Sequence, residues 1–269
     1  MDARVTDEPP LRMPPTALAI NLAVIRAILL RDVQLLTGKY GFGVMLLLLM
    51  PLCHLLVVLT IFHVLNRVTP QSGDQILYYG LSILPFVIFV YMARQIILSV
   101  TINRALLYFS RVKIFDILIA RSVLEFVNAT VVCILILALL ILFSSEFRPY
   151  DWTGMLFAIA ATIYLAFCVG VAHALITHLI PMWPIVFNLS APILWGASGI
   201  VFVPSAIPAP YNQWLALNPL LQCIEWLRSS YYEGYPSELI NVPYLLTLST
   251  ATLAISLIAE RFGRRMFRI

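Results

Sequence analysis

Side chains that could carry catalysis are sparse in this sequence and form no recognised motif. The fragment Gly38-Lys39-Tyr40 lacks the upstream glycine and the following hydroxyl residue of a GxxxxGK[ST] phosphate loop. No GxSxG or HExxH pattern occurs. His173 and His178 are five residues apart, which does not place both on one helical face for a shared metal. We therefore predict that the chain is not an enzyme, has no metal site and binds no cofactor.

Arg94, next to Gln95, is the exception in a sequence whose apolar stretches carry almost no ionisable residues. Ionisable side chains within a membrane helix usually mark an ion or substrate path. Arg94 either snorkels to the cytosolic interface or contacts another helix, or it lines a cavity through which an anionic group passes. The absence of a carboxylate at mid-membrane counts against a proton-coupled carrier.

The stretch 204–242 combines aromatic and polar residues on what we expect to be the outer side of a membrane. Asn218-Pro219 is typical of a helix start, and Leu220, Ile224 and Leu227 follow it with helical spacing. Because the stretch has no charge until Glu225, we expect residues 204–238 to form a re-entrant helical hairpin. The backbone of such a hairpin must be surrounded by protein or by water.

This outer segment is a candidate stacking or gating surface for a transported molecule. For any single aromatic residue in it, an ordinary belt at the membrane interface is an equally good interpretation. Together with Arg94, the candidate residues of this outer gate or path are Tyr211, Trp214, Asn218, Pro219, Glu225, Trp226, Arg228, Tyr231 and Tyr232.

The inner stretch 101–121 mixes basic and aromatic residues. A connection that only had to cross back would not need so many apolar side chains, so we predict a short helix over 101–117 with a protein-docking face. An interfacial helix resting on lipid is the alternative. Just after it, Arg121 and Glu125 are four residues apart and should pair across one helical turn. The charged residues of the predicted helix are Arg104, Arg111, Lys113 and Asp116.

Composition identifies the elements that must position these residues. Of the 269 residues, 61% are hydrophobic and 11% are charged, and the mean hydropathy is +0.94. Soluble domains are about a quarter charged and about half apolar, and disordered chains are poor in aliphatic residues. We therefore predict an all-α integral membrane protein. The net charge of +4 is too small to indicate a nucleic-acid partner.

Six stretches are candidates to cross a bilayer, for which roughly 20 apolar residues are needed. The uncharged stretch Trp152–Ile224 is divided where Pro181 and Pro184 disfavour a continuous helix. Lys and Arg residues concentrate before the first span, between the second and third, and after the sixth, so we expect both termini in the cytosol. The predicted spans are about 42–64, 75–97, 122–144, 154–178, 185–203 and 242–260.

The N-terminal part is predicted to lie on the cytosolic side of the membrane. Residues 1–15 are polar and proline-rich and should form a short cytosolic tail. Residues 16–37 are apolar but contain Arg26, Arg31 and Asp32, which indicates a helix lying in the membrane interface. The alternative is a seventh span, which would place these charges at membrane depth.

Three segments resemble the membrane subunits of ABC transporters that export polysaccharides, most closely the capsular polysaccharide exporters of the KpsM type. The segments are LLYFSRVKIFDILIARSVLE at Leu106–Glu125, HLLVVLTIF after Met50-Pro51, and NPLLQCIEWLR from Asn218. The predicted order of an interface helix, six spans and an outer hairpin before the last span is also similar. The resemblance covers essentially the whole chain, so residues 1–269 would be a single permease domain.

The resemblance implies a homodimeric permease in the bacterial inner membrane. Two copies of a separate ATPase subunit, which would bind the ATP and Mg, would dock on 101–117 as the coupling helix. The substrate would be a lipid-linked, usually acidic capsular polysaccharide. It would pass to a periplasmic co-polymerase or adaptor and an outer-membrane channel. Arg31-Asp32 would mark the interface helix, and the re-entrant element would contain Asn218, Pro219, Glu225 and Arg228.

Three alternatives stay open at this point. The same class of machine could export O-antigen or another glycolipid. A membrane-embedded transferase would need a cluster of His, Asp or Glu at one membrane face, which the sequence does not indicate. A purely structural membrane scaffold would not need the outer hairpin or the inner docking segment.

Overall fold

The computed structural model describes residues 16–38, 42–65, 69, 74–144 and 147–263. These ranges contain nine α-helices and two 3-10 helices, Arg104–Tyr108 and Pro204–Ala206, and no strand occurs within them. The expected cytosolic tail, residues 1–15, lies outside the described residues. The α-helices are α1 (Ala17–Thr37), α2 (Phe42–Val64), α3 (Gln75–Ile102), α4 (Ile114–Phe143), α5 (Trp152–Leu179), α6 (Trp183–Ala197), α7 (Tyr211–Ala216), α8 (Pro219–Tyr231) and α9 (Val242–Gly263).

Five of the described helices, α2, α3, α4, α5 and α9, are long and apolar enough to cross a membrane. This confirms the all-α class that the composition predicts. The helix expected over 16–37 is present as α1 and begins where the Thr16 side chain accepts a hydrogen bond from the backbone N–H of Ala19. α1 differs from the five long apolar helices because Arg26, Arg31 and Asp32 interrupt the middle of its 21 residues, whereas each of the five has a long stretch with few charges. Arg26 is exposed.

α6 is shorter than the predicted span 185–203. It has 15 residues, which is roughly 22 Å of helix against a hydrocarbon core of about 30 Å. α6 ends at Ala197, and Gly199 beyond it adopts a left-handed φ of 72° that a continuing helix does not allow. Residues 200–203 are apolar but not helical. Five of the described helices, rather than the predicted six, are therefore both long and apolar enough to be a span.

Segment 101–117 is not the single helix that we expected. α3 continues to Ile102, and α4 begins at Ile114, well before the predicted start of the third span at 122. A 3-10 helix and a turn lie between them; we call residues 103–113 the inner turn. The start of α4 is fixed by the Asp116 carboxylate, which accepts a hydrogen bond from the backbone N–H of Lys113 at 2.9 Å.

α3 is the central helix of the bundle. It packs most extensively against α5 and α4 and also contacts α2, α6 and α8, and most of its side chains are buried. α5 approaches α3 closely at Gly170, where a β-carbon would lie only 3.1 Å from Cβ of Ile96. Ala166 and Ala174, one turn to either side of Gly170, are also buried. A row of small residues thus allows the two helices to pack closely.

The outer segment 204–238 contains α7 and α8. The predicted helix start at Asn218-Pro219 is confirmed, because the Asn218 side chain accepts a hydrogen bond from the backbone N–H of Leu220 at 3.0 Å. α8 packs against α5 and α3, and most of its side chains are buried. α7 has no buried residue. The two α-helices of the segment are therefore one interior helix and one surface helix.

Candidate functional site

α8 carries a buried ion pair at its centre. Arg228 is completely buried, and its Nη1 donates to Oε1 of Glu225, three residues earlier on the same helix, at 2.9 Å. The hydroxyl of Tyr235 donates to the Glu225 carboxylate, with distances of 3.0 and 3.1 Å to its two oxygens. Two buried charges are tolerated when each is paired and hydrogen-bonded in this way.

Arg228 also joins α8 to two other parts of the bundle. Its Nε donates to Oγ of Ser82 on α3 at 2.8 Å. Its Nη2 and Nη1 donate to the carbonyl oxygens of Ile200 and Phe202, at 2.9 and 3.2 Å. The guanidinium carbon lies 4.4 Å from the ring centroid of Tyr78, which is a cation–π contact. We call the set Tyr78, Ser82, Glu225, Arg228 and Tyr235 the buried arginine network.

The outer candidate residues thus divide into an interior and an exposed group. Glu225, Arg228 and Tyr231 are buried and hold α8 in the bundle. Tyr211 and Trp214 on α7 are 58% and 65% exposed, and their rings meet edge to face at a centroid distance of 5.7 Å. These two aromatic residues have the exposure that contact with a transported molecule requires. The half-buried members of the set are Asn218, Pro219, Trp226 and Tyr232.

The inner turn presents cations and aromatic rings at the protein surface. Arg104 and Arg111 are exposed, as are Tyr108 and Phe109, at 73% and 65%. Lys113 at the end of the turn is exposed too. Asp116, in contrast, is buried at the start of α4, where it accepts the capping hydrogen bond. Of the four predicted docking residues, the three basic ones lie on the surface and Asp116 stabilises the helix start.

α1 is attached to the inner turn through Arg31. Its guanidinium forms an ion pair with Asp32 at 2.6 Å and donates a hydrogen bond to Oδ1 of Asn103, at the beginning of the inner turn. An apolar cluster continues the contact between α1, the inner turn and α4. Its buried members are Ile28, Ile117 and Ala120, and Leu106, Leu107 and Val112 pack against them.

The predicted pair Arg121–Glu125 is confirmed. The two charges lie 2.6 Å apart on α4 and are both buried. Arg121 also donates to Oε1 of Gln95 on α3 at 2.9 Å, and Asn128 donates to Oε2 of Glu125 at 3.3 Å. The pair therefore joins α4 to α3 at the residue next to Arg94.

A cavity of 560 Å³ lies between α2, α3 and α6, and Arg94 is one of its lining residues. Arg94 is exposed, and among the described residues its guanidinium has no hydrogen-bond or ion-pair partner. The sequence predicted Arg94 as a candidate but none of the other lining residues. They come from three helices, and only the packing of those helices brings them together. The other polar or aromatic residues of this cavity are His54, Phe86, Tyr91, Asn188 and Trp195.

The described residues contain no group of three or more His, Cys, Asp or Glu side chains that could hold a metal ion. Asp151 has a structural role at the N-terminal end of α5. The backbone N–H and the hydroxyl of Thr153 donate to its carboxylate at 2.9 and 2.6 Å, and the hydroxyl hydrogen bond in particular lowers the pKa of Asp151. This geometry is that of a helix cap.

Comparison with known proteins confirms the resemblance that the three sequence segments indicate. The chain is 26% identical over 243 residues to two polysialic acid transport proteins, both named KpsM, of Escherichia coli. The similarity covers 90% of this chain and 94% of each relative. No protein family model matches the chain. Because the similarity covers nearly the whole length of both proteins, it extends far beyond the short segments.

Proposed function

We propose that this protein is the transmembrane subunit of an ATP-driven exporter that moves a lipid-linked capsular polysaccharide across the bacterial inner membrane. The observation that carries the proposal is the similarity to two polysialic acid transport proteins over 90% of the chain. The five long apolar helices suit a multi-pass membrane protein, and both relatives are named as transport proteins rather than enzymes. In this proposal the chain is a permease and ATP is hydrolysed elsewhere.

The exporter is proposed to be a homodimer that binds two copies of a separate ATPase subunit, which hold the ATP and Mg. The inner turn is the proposed docking site, since its exposed cations and aromatic rings suit a contact with another protein. Its contacts with α1, α3 and α4 support this role, because a displacement of the inner turn would be passed to all three helices. The docking residues are Arg104, Arg111 and Lys113, with Tyr108 and Phe109.

Six crossings with both termini in the cytosol are part of the proposal. α6 together with residues 198–203 makes the fifth crossing, and 204–238 is the re-entrant element. Tyr211 and Trp214 meet the polymer at the outer mouth, and Arg94 lies on its path. From there the polymer passes to a periplasmic co-polymerase or adaptor and an outer-membrane channel. Export of O-antigen or another glycolipid is the second candidate, and a membrane-embedded transferase is the candidate from a different class.

Co-reconstitution of the chain with its ATPase subunit in lipid vesicles tests the proposal. We expect the chain to stimulate ATP hydrolysis, and Arg111→Ala combined with Lys113→Ala to remove most of that stimulation. Arg261→Ala is the matched control, because it removes an exposed cation near the end of α9. Failure of the wild-type chain to bind or stimulate the ATPase would contradict the exporter assignment. An unchanged double variant would contradict only the docking site.

A further inference from the structure

We propose that the cavity between α2, α3 and α6 is a binding site for the carboxylate of an acidic sugar residue, with Arg94 as its charge partner. The inference rests on the proposed function and adds to it a binding site and the contact that would recognise an acidic sugar there. We call this space the Arg94 cavity; its volume of 560 Å³ lies within the range of about 300–1,000 Å³ that is typical of small-molecule sites.

Arg94 differs from three other arginines of the described helices. Arg31, Arg121 and Arg228 each form an ion pair with a carboxylate of the same helix, at 2.6, 2.6 and 2.9 Å. The Arg94 side chain, in contrast, forms no hydrogen bond or ion pair within the described part of the chain and borders the open cavity. It lies about two turns before the end of α3, roughly 12 Å along the helix axis. A charge at this depth requires water or an anion as its partner.

The remaining lining residues favour a sugar over a simple anion. The cavity wall contains the aromatic rings of Tyr91 and Trp195, which offer flat surfaces to the C–H face of a pyranose, and the imidazole of His54. Asn188 is exposed, and its amide has no hydrogen-bond partner among the described residues, so it can bond sugar hydroxyls. A guanidinium can bind a carboxylate through two parallel hydrogen bonds. Aromatic, amide and guanidinium groups thus match the three kinds of surface on an acidic pyranose.

The length of the cavity also favours a sugar chain over the headgroup of a phospholipid. Asn188 and Trp195 are two turns apart on α6, or about 10 Å, so the polar and aromatic groups extend along the helix. The phosphate of a lipid headgroup would pair with Arg94 but would leave the aromatic wall to acyl chains. An acidic oligosaccharide has hydroxyl groups and ring faces along its whole length, and it uses both ends of the Arg94 cavity.

The test is a binding titration of the purified full chain in phosphatidylcholine nanodiscs, without the ATPase. The probes are tetragalacturonate and the neutral maltotetraose, followed by calorimetry and by tryptophan fluorescence. We expect tetragalacturonate to bind and maltotetraose to bind at least ~10-fold more weakly, since a charged hydrogen bond contributes about that factor. Arg94→Gln should weaken tetragalacturonate binding by ~10-fold or more, and Asn188→Ala should weaken binding of both sugars.

Arg261→Gln is the matched control, because it removes an exposed cation at the end of α9, outside the cavity, and it should bind as the wild type does. Asn188 is exposed, so Asn188→Ala still tests the cavity if Arg94→Gln does not fold. Equal binding of the two sugars, unchanged binding by the cavity variants, or loss of sugar binding in phosphatidylglycerol nanodiscs would overturn the inference. Because the ATPase is absent, a negative result here combined with ATPase stimulation by the wild type refutes the Arg94 cavity alone.

Discussion

Arg228 is fully buried, and the loss of hydration that this burial entails costs several kcal/mol unless the charge is paired and hydrogen-bonded. Its guanidinium pairs with Glu225 and donates to Ser82 and to two backbone carbonyls. A residue that contacted a moving polymer would need an accessible side chain, and that of Arg228 is 0% exposed. At the residue scale, Arg228 therefore has a structural role: it links α8 to α3 and to residues 200–202 after α6.

Breaking one partner of this pair should destabilise the protein strongly. We expect Glu225→Gln to lower the free energy of unfolding by about 3–5 kcal/mol, because the Arg228 charge is then buried without a counter-charge. Tyr235→Phe removes only the hydroxyl that donates to Glu225 and should cost about 1–3 kcal/mol. The measurement is equilibrium unfolding in detergent micelles, with the exposed-site variant Tyr211→Phe as control. If Glu225→Gln costs no more than Tyr235→Phe, the pair does not carry the stability assigned to it.

At the scale of elements, the inner turn and α1 behave as one unit. Arg31 of α1 donates to Asn103 at the start of the inner turn, and an apolar cluster adds further contacts between α1 and the inner turn. The inner turn also joins α3, the most buried of the five long apolar helices, directly to α4. A force applied at the exposed Tyr108 and Phe109 would therefore be passed to α3 and to α1 together.

Asn103→Leu should release α1 from the inner turn. The substitution removes the acceptor of a charged hydrogen bond, which is worth about 1.5–3 kcal/mol, so amide hydrogen exchange in α1 should become ~10-fold faster or more. Exchange in the centre of α3 and α5 should not change, because their contact does not involve Asn103. Thr101→Leu, an exposed substitution near the same helix end, is the control. Unchanged exchange in α1 would show that the apolar cluster alone holds the helix.

Features set by neighbouring residues could be predicted from the sequence, and features set by packing could not. The α8 start at Asn218-Pro219 and the Arg121–Glu125 pair depend on residues within one or two turns, and both predictions are confirmed. The end of α6 was missed because the apolar sequence continues past Gly199, although a glycine just beyond the C-cap, here with a φ of 72°, commonly ends a helix. The Arg94 cavity could not be predicted, because its lining residues come from three helices that only the tertiary structure brings together.

At the scale of the whole molecule, residues 198–203 after α6 are non-helical backbone that would lie within the membrane if α6 is part of a crossing. Non-helical backbone at membrane depth is tolerated only where its polar groups are satisfied by protein or water. Residues 198–203 are not in an α-helix, yet the carbonyls of Ile200 and Phe202 accept hydrogen bonds from Arg228, and that of Ala197 accepts one from Asn218 at 3.1 Å. Roughly 22 Å of helix plus six non-helical residues, at up to about 3.3 Å each, is enough to cross a core of about 30 Å.

We therefore expect α6 and residues 198–203 to cross the membrane together, although α6 alone is too short. One cysteine introduced at the exposed position Met182 or Ser205 tests this with a membrane-impermeant maleimide, in a Cys53→Ala background whose remaining cysteines are buried. Ser205→Cys should be labelled in cells whose outer membrane alone is permeabilised, and Met182→Cys only after the inner membrane is opened. Lys113→Cys should behave like Met182→Cys, which fixes the cytosolic side. Labelling of Met182→Cys and Ser205→Cys from the same side would mean that this segment does not cross and that the chain has five spans.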